Sequence, residues 1–525
     1  LVKNKGSLAW AITTVATSAL LVTATVLSAT TFKALLDNVF GGDRAITEAG
    51  ENVGLYVEDF KTKEEAYENG NAVSRKICEE GMVLLKNENN ALPLAKAAKV
   101  SIFGKNSVNL ITGGSGSAAP KQDEPVKGIY DSLNAAGFEC NPTLEAFYKD
   151  NDKSGPGRPG NLDMSGNVET LATGETPQSM YTSDVKASYA GYSDAAFIVF
   201  SRMAGENYDL PRTMAEDETH HYLQLDSAEV DLVKHVCDSG FKHVIILINS
   251  SNMIDLGFIK YSDYPGLEGY NTKIDGAMII GSVGAQGIMA LGDILNGTVN
   301  PSGHTVDTLY TKYENDPTWQ NFGNNIDGKK GDSYIVSGKQ KQYYFVEYEE
   351  DIYVGYRYYE TRGFVEGEDW YDKNVVYPFG HGLSYTTFDR TVTGHGSDTL
   401  NANDTFTVDV RVKNTGSVAG KDVVQLYATA PYTNGGIEKP HKVLVGFAKT
   451  KLLEPGQEDT VHITVTPYDF ASFDCYDKNG NGFKGYELEK GKYTFHVSEN
   501  AHKAFDTFDK NLADDVKFEK DPVTG

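Results

Sequence analysis

Three almost wholly apolar runs constrain this chain more than any other feature: Ala195–Phe200, HVIILI at 243–248, and Gly276–Ile280. A strand with one face in water alternates apolar and polar residues. A strand that does not alternate is buried on both faces, as in a parallel sheet covered by helices. The spacing between the runs predicts those helices. Asp226 followed by Glu229 forms a capping box, and Val230, Val233, Val236 and Cys237 recur behind it at helical spacing. Ile288, Leu291, Ile294 and Leu295 mark a helix after the last run. Upstream, Lys99–Phe103 reads as a strand, Val126–Gly137 as a helix closed by glycine, and Met82–Leu85 as a short strand or a helix end. Asp59–Met82 reads as a helix with Ala66, Val73, Ile77 and Cys78 on its apolar side. Residues 150–190, rich in Gly, Ser, Pro and Thr, read as an extended surface excursion. The alternation assigns residues 61–388 to an α/β sandwich domain with a mostly parallel sheet.

Beyond about residue 390 the period changes from helix to strand. TFTVDVRVKNTG at 405–416 alternates cleanly and ends in a turn, and four similar segments follow it. Residues 389–505 are therefore expected to form an all-β sandwich of fibronectin type III-like or immunoglobulin-like type. Between 340 and 388, Pro378, Gly380 and Gly382 predict an irregular path. Residues 506–525 read as a linker.

At the other end, residues 1–7 form a flank carrying Lys3 and Lys5, and residues 8–32 hold no charge. A helix of that length can span a bilayer, which needs about 20 residues. The run is read as a membrane anchor, with a cleaved signal peptide or a buried helix as alternatives; residues 33–60 connect it to the first domain. Anchor and signal peptide both place the protein outside the cytoplasmic membrane, anchored in the first case and secreted in the second.

Of 525 residues, 73 are Asp or Glu and 48 are Lys or Arg, giving a formal charge of −25. That balance argues against nucleic acid, whose phosphates need a basic face. Cys78, Cys140, Cys237 and Cys475 are scattered, with neither metal-like spacing nor a disulfide framework. His220 and His221 are adjacent and point apart, so no metal site is read.

Chemistry in open α/β sheets sits outside the carboxyl ends of the strands. The apolar run Ala195–Phe200 stops at Ser201, and the following loop carries Gly205, Glu206, Tyr208 and Asp209. From pattern alone, Glu206 is either an ordinary surface glutamate or a strand-end carboxylate placed for chemistry.

Longer motifs decide between these. GMVLLKNENNALPL (81–94), GGSGSAAP (113–120), SRMAGENYDLPR (201–212), NPSGHTVDT (300–308), IYVGYRYYET (352–361) and YPFGHGLSYTTF (377–388) occur in this order. Together they resemble glycoside hydrolase family 3, the β-glucosidase and β-xylosidase family, from about residue 70 to the end of the sandwich. The resemblance implies a (β/α)8 barrel supplying an aspartate nucleophile, and an α/β sandwich domain supplying an acid/base glutamate. Here no barrel precedes the sandwich domain, and none of Trp10, Trp319 and Trp370 stands in a Ser-Asp-Trp context. The order therefore looks like that of inverted members, with residues 506–525 leading towards a barrel absent from this chain.

Within the resemblance, Glu206 falls on the acid/base position, with Asn207 where relatives commonly carry glycine. Tyr208 and Asp209 follow, Asp209 as a loop-fixing acceptor or a sugar contact. Arg202 is either a charge partner that positions the loop or a surface residue. Asn106 and the loop holding Gly114 and Ser115 either wall the cleft or form a structural turn. The implied activity is retaining hydrolysis of a β-linked oligosaccharide or glucoside, most simply by a β-glucosidase, with β-xylosidase as the alternative within the class. No cofactor is implied, since proton transfer between carboxyls and water needs none. The expected partners are the barrel domain, on the same polypeptide or a second chain, and a second copy of this chain as a homodimer. A noncatalytic, membrane-anchored carbohydrate-binding or scaffold module is the rival reading, because no nucleophile is recognised here.

Overall fold

The computed structural model describes residues 5–33, 35–36, 59–114, 125–158, 172–205, 210, 214, 217, 220–321, 330–336, 338–402, 404–522 and 524–525. The chain divides into two compact units, Leu1–Ala66 and Tyr67–Gly525.

In the first unit, Lys5–Ala29 is one helix with no buried residue, long and apolar enough to cross a membrane. It is rich in threonine, which ordinarily weakens such a reading. The hydroxyls of Thr14, Thr17, Thr23, Thr25 and Thr30, however, each donate to the carbonyl four residues back. A hydroxyl satisfied within its own helix costs little in an apolar medium.

The second unit opens with a six-stranded sheet: β1 (Val83–Asn87), β2 (Lys99–Phe103), β3 (Glu139–Cys140), β4 (Ala195–Arg202), β5 (Val244–Ser250) and β6 (Gly276–Ile279), in the order β1-β6-β5-β4-β2-β3. All neighbours pair in parallel except β1, which lies antiparallel to β6. The sheet separates two cores, as the unbroken apolar strands require. Ala196, Ile198 and Phe200 pack with Leu232 and Val236 of the helix Ser227–Cys237 and with Phe147 of Pro142–Lys149. Ala195, Phe197 and Val199 face the opposite way, onto the helices Ile129–Ala135 and Met289–Leu295. The Asp226–Glu229 capping box is present, as its spacing predicts.

The sandwich that follows packs strands 388–394, 406–414 and 458–465 against strands 399–400, 423–429, 443–449, 491–498 and 504–512. Val408, Val410, Val424, Leu426, Ile463, Phe495 and Val497 fill the space between the two sheets. A third, small sheet joins strands 472–474, 485–488 and 516–518.

Four expectations need correction. Residues 506–525 are not a plain linker: strand Ala504–Leu512 pairs along its whole length with Gly491–Ser498. Its charges disguise it. Lys510 is buried, and its ammonium donates to His395 O at 2.7 Å over the ring of Phe406. Residues 150–190 are no surface excursion where described, because Thr173, Glu175, Thr176, Tyr181, Val185 and Tyr189 are buried. Strand β4 does not stop at Ser201 but continues through Arg202. On the helix ending at Gly81, Val73 and Ile77 are exposed, and only Cys78 packs on the core beneath.

The motifs at 300–308 and 377–388 build the joint between the α/β domain and the sandwich. Thr305 N–H donates to His381 O, Gly380 N–H to Thr305 O, and Asn300 Nδ2 to Ala419 O. Glu80 reinforces this joint by receiving the ammonium groups of Lys421 and Lys449, which hold its carboxyl down at about 2 against the effect of burial.

Candidate active site

Leaving out antiparallel β1, the parallel strands run β3-β2-β4-β5-β6, so the chain reverses direction between β2 and β4. The crevice at the carboxyl ends of two such strands is the usual ligand site of open α/β sheets. Here the two strand ends are Phe103 and Arg202.

After β2 the chain turns at Gly104, whose φ is 95°. A Cβ there would stand 2.8 Å from Val199 O on β4, so only glycine lets the turn lie against its neighbour. The turn Lys105–Val108 is bolted down from below. Tyr148 Oη accepts from Gly104 N, and the Lys105 ammonium reaches Tyr148 O, Asn151 Oδ1 and Ser154 Oγ at 2.6–2.9 Å. Glu175 takes the N–H groups of Lys105 and Thr176, and burial pushes its carboxyl up to about 8.

On this turn Asn106 is fully buried, yet neither its amide oxygen nor its nitrogen has a hydrogen-bond partner among the described residues. An unpaired buried amide costs on the order of 1–3 kcal/mol. Such a residue is hard to explain by stability alone, at the point where the topology places ligands.

The segment beyond is drawn over the same edge by Asn249, at the end of β5. Its Oδ1 accepts from Ile111 N at 2.6 Å and from Ser201 Oγ at 3.0 Å, while its Nδ2 donates to Ile111 O and Gly281 O. Thr112 O accepts from Gly284 N. Gly114 lies two residues on; Ser115 lies outside the described residues.

The loop leaving β4 is rooted in a buried clamp. Arg202 is 1% exposed, and its guanidinium meets both carboxylate oxygens of Glu229 at 2.8 and 2.6 Å. The same guanidinium donates to Tyr222 O at 2.6 Å and to Gln224 O. Tyr222 Oη accepts from Met203 N at 3.0 Å and donates to Met203 O at 3.1 Å. The outgoing residues 202–203 and the returning residues 222–224 are therefore tied side by side. Glu229 also caps Asp226 N–H, which welds the loop's return to the helix Ser227–Cys237. Burial pushes the Glu229 carboxyl up, and the guanidinium and that N–H pull it back.

Of the two readings of Arg202, the surface one is thus excluded. Glu206, Tyr208 and Asp209, on the loop between the clamped ends, lie outside the described residues. Further along, Met214 packs with Tyr222, Leu223 and Tyr313, and the His221 ring lies 4.7 Å from that of Trp319. Sequence reasoning missed Glu175, Glu229, Tyr222 and Asn249 as supports of this edge. Only Glu229 carried a signal, as the capping-box glutamate.

The glycosyl hydrolase family 3 C-terminal domain matches residues 82–356, more than half of the chain. The chain belongs to glycosyl hydrolase family 3. A fibronectin type III-like domain matches residues 422–501. Among curated relatives, β-glucosidase A of Butyrivibrio fibrisolvens is 32% identical over 79% of this chain and 48% of its own length. A β-glucosidase of Ruminococcus albus is 34% identical over 82% of this chain and 39% of its own. The chain spans less than half the length of these two relatives. Among solved structures, β-glucosidase 3B of Thermotoga neapolitana in complex with glucose is 29% identical, with a TM-score of 0.67 over 86% of this chain and 55% of that one. Membership in family 3 accords with the α/β-then-sandwich order described above.

Proposed function

We propose that this chain supplies the acid/base half of a retaining β-glucosidase, with Glu206 as the general acid/base. The observation that carries the reading is the buried Arg202–Glu229 clamp, which fixes both ends of the Glu206 loop at the switch point of the sheet. Its support from relatives is that the similar proteins are named β-glucosidases. In a retaining hydrolysis one carboxyl protonates the leaving oxygen while another, about 5–5.5 Å away, attacks the anomeric carbon. The nucleophile is assigned to a (β/α)8 barrel domain, on the same polypeptide or on a second chain, and the substrate is a glucoside or β-linked oligosaccharide. Asn106 is a candidate to bind the sugar or to hold the loop, and Gly114 and Ser115 to wall the cleft.

Purified residues 33–525 are expected to show no turnover of an aryl β-glucoside, and to gain it when the barrel domain is supplied. Steady turnover by these residues alone, abolished by changing a carboxylate within them, would overturn the assignment of the nucleophile to another domain.

The helix Lys5–Ala29 is proposed to anchor the protein at the outer face of the cytoplasmic membrane, since its threonine hydroxyls are satisfied internally. Alkaline carbonate should leave the full-length protein in the membrane pellet. Its release into the wash, or a mature N-terminus after residue 32, would show that the helix is no anchor.

A further inference from the structure

In the small third sheet of the sandwich, strands Ser472–Asp474 and Gly485–Leu488 are joined by a turn within the sequence DCYDKNGNGFKGYE (474–487). Asp477, Asn479 and Asn481 alternate, and Gly482 follows. That succession of oxygen-bearing side chains and a glycine opens the loops that hold calcium. The reading of no metal site rested on His and Cys spacings, which are the ligands of softer ions; a hard cation takes oxygen alone.

The structure adds what the pattern lacks. Asp474 lies opposite Gly485 in the antiparallel pairing, so Asp474 and Glu487 share one face of the hairpin. Both are buried, at 2% and 1% exposure, and neither has an ion-pair partner among the described residues. Glu487 Oε2 accepts from the side-chain amides of Asn479, at 3.1 Å, and Asn481, so its carboxylate is turned into the loop. Its other oxygen, Oε1, is shut off from solvent and has no hydrogen-bond partner. A carboxylate buried in this way is expensive unless a cation answers it.

The remaining oxygens are already gathered by the turn. Asp474 accepts from the backbone N–H groups of Tyr476, Lys478 and Asn479. Asp477 Oδ1, Asn479 Oδ1 and Asn481 Oδ1 accept from Gly482 N, Asn481 N and Phe483 N at 3.0, 3.1 and 2.9 Å. A carbonyl or carboxylate oxygen holding one such bond keeps a lone pair for a metal. Lys517 donates to the backbone carbonyl of Asn481 and to neither carboxylate.

We propose that the 474–487 turn is a calcium site, with Glu487, Asp477, Asn479 and Asn481 as side-chain ligands and Asp474 as a brace beneath them. It is not an EF-hand: Glu487 follows Gly482 one residue sooner than in that motif, and it stands on a strand rather than a helix. No three His, Cys, Asp or Glu groups converge among the described residues, so amide and carbonyl oxygens must complete the shell. Calcium accepts such a mixed and irregular set of six to eight oxygens, whereas magnesium demands a near-ideal octahedron. Binding would also stiffen one wall of a cavity of about 630 Å³, since Phe473 and Tyr486 line it from the opposite face of the hairpin.

The test uses the full chain freed of metal with EDTA. Calorimetric titration with calcium should give one ion per chain, at a Kd of about 10⁻⁵–10⁻³ M. Terbium should show luminescence sensitised by tyrosine, which calcium but not equimolar magnesium abolishes. Glu487→Gln should weaken calcium binding at least about tenfold. Because burial makes that variant's folding uncertain, Asp477→Asn, on the half-buried turn, is measured beside it and should weaken binding while the circular dichroism is unchanged. Absence of calcium binding, equal binding of magnesium, or binding untouched in a folded Asp477→Asn variant would each overturn the proposal.

Discussion

Changing Glu206 to alanine in the assembled enzyme should lower the rate on natural β-glucosides by about 10²-fold or more. Their leaving alcohols depart only with a proton, and under this proposal Glu206 is the group that gives it. An activated aryl glycoside should lose less in forming the covalent intermediate, because a nitrophenolate leaves unaided. Breakdown of that intermediate should remain slow, since water then lacks its base. Azide needs no deprotonation, so it should restore turnover of the activated substrate and yield the β-glycosyl azide. Steady-state rates on both substrate types, with and without azide, check this. Equal impairment on both, rescued on neither, would remove Glu206 from the role and turn attention to Asp209 on the same loop.

The sheet was legible because its strands are buried on both faces, and such burial writes itself into composition: β4 and β5 read as apolar runs and are fully buried strands. The helix after β4 was legible from its capping box, a pattern that lies within four residues. The supports of the site were not, because their partners are distant in sequence. Arg202 is followed by its carboxylate only 27 residues later, and a lone arginine at a strand end looks the same whether it meets water or Glu229. Glu175 sits in a polar, glycine-rich stretch, and its buried carboxylate accepts from the Lys105 N–H, 70 residues earlier in the chain. Lys510 misled for the converse reason: its ammonium is satisfied by carbonyls more than a hundred residues away, so a charged strand passed for a linker. The family motifs identified the lineage, but those at 300–308 and 377–388 stabilise the domain joint and touch no chemistry in the described structure.

Arg202 offers the second large effect. Arg202→Met should destabilise the α/β domain by about 3–5 kcal/mol, the cost of leaving a buried carboxylate without its partner. Four acceptors lose this donor at once: the Glu229 carboxylate, Ser201 O, Tyr222 O and Gln224 O. By comparison, Tyr222→Phe removes only the hydroxyl that bridges Met203 N and O, and should cost about 0.5–1.5 kcal/mol. The double variant Arg202→Met/Glu229→Gln should recover part of the larger loss, because no charge is then stranded, though three carbonyls still lack the guanidinium. Urea denaturation of the three variants measures these differences. The clamp predicts a kinetic signature as well, since a role in stability alone would leave the chemistry of the folded fraction intact. At a temperature where circular dichroism shows Arg202→Met fully folded, kcat on a natural glucoside should fall by about tenfold or more while KM changes little, because the loop proposed to carry the acid/base is no longer fixed at its root. A folded Arg202→Met enzyme with unchanged kcat would mean that the guanidinium stabilises the domain without positioning the loop.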